Sequence, residues 1–128
     1  MMFGNITNNS GQIIGSENGM LEPLLGSATC EQALLFILAR QEGYARQIST
    51  FFGLKLYAVQ RQLEKLEAGG VLVSRLAGRT RLYEFNPRYA FLKELQTLLA
   101  KALDFYPADE RARILMNRRR PRRQGKPL

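Results

Sequence analysis

Histidine and tryptophan are absent from the 128 residues, and cysteine occurs once, as Cys30. A lone thiol forms no intramolecular disulfide, and without imidazole the usual transition-metal ligands are nearly gone, so no metal site and no cofactor is expected. The missing imidazole also removes the commonest general base near neutral pH, and no other catalytic constellation replaces it. An enzyme is therefore not expected. Long apolar runs are missing too: nothing approaches the roughly eighteen residues of a membrane span. Residues 1–20 are rich in Asn, Gly and Ser and have neither the basic start nor the apolar centre of a secretory signal. They read as a flexible arm on a soluble, cytoplasmic protein with no membrane partner.

What the sequence does contain is unevenly placed charge. The net charge is +8, and residues 111–128 alone hold eight bases and no acid. The basic balance therefore reports on that end, and residues 107–128 read as a basic, disordered tail with Arg118, Arg119, Arg120, Arg122 and Arg123 at its centre. Residues 1–110 are neutral overall, but residues 43–88 carry eight bases against Glu64, Glu67 and Glu84. The flanking stretches are acidic, so the body is polarised with a positive middle.

Residues 21–106, with 45% apolar composition across the chain, suffice for one compact domain. Cys30, Ala33, Leu34, Ile37 and Leu38 recur at helical spacing and predict a helix from about Thr29 to Arg40, in which Cys30 is a packed core thiol. Ala45, Ile48 and Phe52 predict a short second helix over 44–52, stopped by Gly53. Leu56, Val59, Leu63 and Leu66 form the inner stripe of a third helix over about 55–68, ended by Gly69-Gly70. Its other face shows Tyr57, Ala58, Arg61 and Lys65. Val71–Leu76 and Thr80–Phe85 read as two strands of a hairpin with Gly78 in its turn, spanning 71–85. Asn86-Pro87 reads as the start of a last helix reaching Phe105, with Pro107 as its end. The order predicts a mainly α fold with a small β-hairpin (α+β): a winged helix-turn-helix of three core helices, a wing and a C-terminal helix.

The run Ile48-x-x-x-Phe52-Gly53-Leu54, then Val59-x-Arg61-x-Leu63-x-Lys65-Leu66-Glu67-x-x-Gly70 and Val71-Leu72, resembles the DNA-binding core of ArsR-type and MarR-type regulators of bacteria and archaea. Gly78-Arg79-x-Arg81-x-Tyr83-x-x-Asn86-Pro87 and Tyr89-x-Phe91-Leu92-x-Glu94-Leu95 continue the likeness. It is nearest to the ArsR-like winged helices that often precede a small nucleotidyltransferase domain, and it covers about residues 21–103. Metal-sensing members carry paired cysteines, whereas Cys30 stands alone. No nucleotidyltransferase signature is present here, so neither property is carried over. Relatives usually cap the recognition helix with Ser or Thr where this chain has Lys55.

The resemblance implies a sequence-specific regulator of transcription, a repressor by steric occupation, whose partner is double-stranded DNA. The third helix would enter the major groove and the wing would lie on the backbone or in the minor groove. Tyr57 and Gln60 are then expected at base edges, Arg61 at a base or nearby phosphate, and Lys55 and Lys65 at phosphates. Arg79 and Arg81 at the wing are expected on the backbone or in the minor groove, and Arg46 and Gln47 near the start of the second helix on backbone phosphate. The wide apolar band of Phe91, Leu92, Leu95, Leu98, Leu99 and Ala102 predicts a homodimer seam, which Met20, Leu21, Leu24 and Leu25 are expected to join. Nothing in the sequence specifies an effector. The alternative, from another class, is an adaptor that uses the same wing and groove to hold a protein partner; it would expose more apolar surface.

Overall fold

The computed structural model describes residues 19–116. Most of the expected N-terminal arm and the whole Arg118–Arg123 run lie outside the described residues. Helices α1 (Glu22–Leu25), α2 (Ala28–Arg40), α3 (Ala45–Phe52) and α4 (Leu56–Ala68) are followed by strands β1 (Leu72–Ala77) and β2 (Thr80–Phe85) and helices α5 (Leu92–Asp104) and α6 (Ala108–Met116). The architecture is the expected mainly helical one with a two-stranded antiparallel wing, a winged helix-turn-helix. No helix among the described residues is long and apolar enough to cross a membrane.

Helix α2 is the hub. Ser27 caps it by accepting the Cys30 N–H at 3.1 Å. Its sequence suggests one apolar stripe, yet Cys30, Ala33, Leu34, Leu35, Phe36, Ile37 and Ala39 are all buried, because α1, α3, α4, α5, α6 and β2 pack around it. Glu31, in its first turn, is fully buried. Its carboxylate accepts the N–H groups of Met20 (2.9 Å) and Leu21 (2.7 Å) and the Tyr106 hydroxyl (2.7 Å), which ties both ends of the domain to the hub.

The turn between α3 and α4 is fixed by one residue used twice: the Ser49 hydroxyl donates to the Leu54 carbonyl at 2.7 Å, and the Ser49 carbonyl accepts the Leu54 N–H at 2.9 Å. Gly53 supplies the left-handed backbone there, φ 70°. Helix α4 buries Val59 and Leu63 against α2 and α3, with Leu56 and Leu66 half-buried beside them. In the wing, Leu72 pairs with Phe85 and Ala77 with Thr80, leaving a two-residue Gly78-Arg79 turn. Positive φ at Gly78 alone fits a type II′ turn. A bridge between Gly43 and Tyr83, with N–H···O distances of 3.0 and 2.8 Å, stitches the wing to the connection between α2 and α3.

Three expectations need correction. The last long helix begins at Leu92, not Asn86, because Asn86 is occupied elsewhere: its amide donates to the Gly70 carbonyl and its side-chain oxygen accepts the Arg88 N–H. Two turns, Asn86–Tyr89 and Tyr89–Leu92, precede the helix. Second, Pro107 does not open a tail throughout. Residues 108–116 form α6, whose Ile114 is fully buried and which packs on α2. Asp109 and Glu110 in the first turn and Arg113 in the last suit the helix dipole, a signal present in the sequence but outweighed there by the arginine run. Third, the expected dimer seam is split. Leu99 and Ala102 are buried in the chain's own core, Leu92 and Leu95 are half-buried, and only Phe91 and Leu98 of the six are exposed.

Candidate nucleic-acid interface

Because Val59 and Leu63 point into the core, the positions between them on α4 must face outward. Lys55, Tyr57, Gln60, Arg61 and Lys65 are all exposed, Tyr57 at 61%. Tyr57 is thus a large aromatic with most of its surface in solvent. Lys55 occupies the N-cap position and makes no side-chain capping bond, as expected for a residue without an acceptor.

The nine expected contact residues do not form one patch. Arg46, Gln60, Arg79 and Arg81 come together around a groove of about 390 Å³ between α4 and the wing, which Tyr44, Glu64, Thr80 and Tyr83 help to line. Tyr57 and Arg61 line a second, smaller depression of about 230 Å³ on the other side of α4, with Ser27, Thr29, Ala58 and Gln62. Lys55 and Lys65 line neither. Gln47 is half-buried, and its side-chain oxygen accepts the Tyr44 N–H at 3.3 Å, so it is partly committed to capping α3.

The wing is held at a fixed distance from α4 by a short relay. Arg81 donates to the Ser74 hydroxyl at 2.9 Å, and Ser74 donates to the Glu67 carboxylate on α4 at 2.7 Å. Arg75 is spoken for by Glu42 at 2.9 Å, an exposed pair that contributes little to stability but removes one free positive charge from the wing. Burial pushes the Tyr83 phenol up, helped by Glu67 and Glu64 and opposed by Arg81, so it stays a neutral hydroxyl at the floor of the groove. Tyr44, Glu64 and Thr80 were not singled out from the sequence. Glu64 lies one turn before the end of the inner stripe and reads there as an ordinary solvated acid; only the wing's position makes it a groove residue. A carboxylate here repels phosphate but can accept the exocyclic amine of cytosine.

Comparison with known protein families, curated proteins and solved structures finds no match to this chain.

Proposed function

We propose that the protein is a duplex DNA-binding regulator of transcription that inserts α4 into the major groove and sets its wing on the flanking backbone. The observation that carries this reading is the outer face of α4: Tyr57, Gln60, Arg61 and Lys65 are solvent-exposed on a helix locked by Ser49 and the Gly53 turn, beside a groove rimmed by Arg46, Arg79 and Arg81. Rigid presentation matters because base-edge hydrogen bonds tolerate little positional error. Arg46, Arg79 and Arg81 supply phosphate contacts, and affinity should fall steeply as salt rises. The test is selection of duplexes by the full chain from a random pool, followed by titration of the selected and scrambled sequences at two salt concentrations.

The same reading includes a homodimer. Phe91 (62% exposed), Leu98 and Phe105 (60%) fall seven residues apart along α5 and its caps, and the exposed Glu94 and Lys101 are also seven apart beside them. An antiparallel two-fold pairing about Leu98 sets Phe91 of one copy against Phe105 of the other and Glu94 near Lys101; a parallel pairing would align like charges. Phe105 was not among the residues expected in the seam.

A further inference from the structure

The groove between α4 and the wing is lined by three arginines, Arg46, Arg79 and Arg81, and by one acid, Glu64. Glu64 is exposed, and the described ion pairs, Arg75–Glu42 and Arg111–Asp104, do not include it. The next acid along the helix is committed, since the Glu67 carboxylate accepts the Ser74 hydroxyl. Glu64 is therefore a groove carboxylate with no partner among the described residues. An acid that served to neutralise the arginines would stand in contact with one of them, and this one does not.

The chemistry of a carboxylate narrows what Glu64 can meet on a duplex bound along α4. Phosphate is excluded by like charge. An ionised carboxylate only accepts hydrogen bonds, and the donors that base pairs present in the major groove are the exocyclic amines of cytosine and adenine. Adenine sets its acceptor N7 beside the amine, which repels the second carboxylate oxygen and suits a side-chain amide such as that of Gln60. Cytosine presents the amine alone. Leu56, Gln60 and Glu64 recur every fourth residue along the wing side of α4, while Tyr57 and Arg61 line the depression on its other side. Four residues of helix rise about 6 Å, close to two base steps of about 3.4 Å each.

We propose that Glu64 is a specificity-determining residue of the α4 face: it accepts the N4 amine of one cytosine in the major groove, about two base pairs from the base that Gln60 contacts. This inference rests on the DNA reading above and adds to it the identity of one base pair. Thymine and guanine would turn carbonyl oxygens toward the same carboxylate, so Glu64 acts by rejecting them as well as by accepting cytosine. Its charge also weakens the attraction of the wing side for phosphate in general, which lowers affinity for any duplex while sharpening the choice among them.

The test uses the full chain and the duplex it selects from a random pool, with Glu64→Ala beside the wild type at one salt concentration. Alanine suits an exposed helix position, and Glu64 has no described bond to lose, so the variant should fold. At one C·G pair of the selected site, replacing cytosine by 2-pyrimidinone, which keeps the ring and lacks the amine, should weaken the wild type about tenfold. The same replacement should change Glu64→Ala by less than about twofold, and the variant should hold a scrambled duplex severalfold more tightly than the wild type does. If Glu64→Ala tightens every duplex alike, with no C·G pair at which its preference departs from that of the wild type, the base assignment is overturned and the DNA reading stands. A wild type that prefers no duplex to a scrambled one would overturn both together.

Discussion

The Tyr106 hydroxyl donates a 2.7 Å hydrogen bond to the buried carboxylate of Glu31 across 75 positions of sequence. It closes the segment between α5 and α6 onto the first turn of α2. Burial, and then the charge of Glu31 and the hydrogen bond to it, raise the Tyr106 pKa, so the phenol remains a donor across the physiological range. Tyr106→Phe removes one of three donors to a buried carboxylate and should cost about 1–3 kcal/mol in urea unfolding. Glu31→Ala should cost more, because it releases Met20, Leu21 and Tyr106 together. Equal stability of Tyr106→Phe and the wild type would show that the contact is dispensable.

Gly43 is a second constraint on the same hub. A Cβ built there would lie 3.0 and 3.1 Å from two Phe36 ring atoms, and Phe36 is held in place by edge contacts with Phe51 and Phe52 and by the Arg40 guanidinium. Gly43→Ala should therefore destabilise by about 1–3 kcal/mol, the usual cost of overpacking. It should also speed hydrogen exchange at the Tyr83 amide, which donates to the Gly43 carbonyl. Unchanged exchange at Tyr83 would count against the stitch between wing and hub.

Cys30 gives a pH dependence of known sign. Burial pushes its thiol from about 9 up to about 11, so the folded state favours the neutral form. Its contribution is complete below pH 9 and is lost as the pH rises toward 11, by about 2–3 kcal/mol in total. The stability advantage of the wild type over Cys30→Ala should shrink by that amount between pH 8 and pH 11. The native thiol should also resist disulfide reagents at pH 8 until the chain is unfolded. Rapid labelling of the native protein would contradict the buried position.

The α5 stripe separates a surface from a core substitution. Leu98→Glu should convert a dimer to a folded monomer in sedimentation, while Leu99→Glu, one residue on and fully buried, should unfold the chain. A wild type that sediments as a monomer at tens of micromolar would remove the dimer from the account.

The legible parts of this fold were those where one local rule decided the outcome. Val59 and Leu63 at helical spacing placed the outer face of α4, and Gly78 placed the wing turn. The illegible parts were decided by what a residue meets at long range. Glu31 is an ordinary helix-start acid in the sequence and a buried junction in the structure. Asn86 looks like a helix cap until the Gly70 carbonyl claims its amide. Leu99 and Ala102 cannot be told from Leu98 by apolar pattern, since a band says which face is apolar and not which half of it the chain's own core will cover. The candidate interface behaved the same way: the exposure of Tyr57, Gln60, Arg61 and Lys65 followed from the periodicity of α4, but the half-burial of Gln47 and the grouping of Arg46 with Arg79 and Arg81 came only from the folded chain.

The proposed role of the exposed α4 face is to read base edges. A duplex selected by the wild type should be titrated against the full chain carrying Tyr57→Ala and Arg61→Ala, with a scrambled duplex alongside. Basic residues attract any duplex through its phosphates at low salt, so the difference between the two sequences is the decisive quantity. A wild-type preference of about a thousandfold or more is expected, and it should collapse in the variant while thermal unfolding is unchanged. A folded variant that keeps the preference would contradict that role.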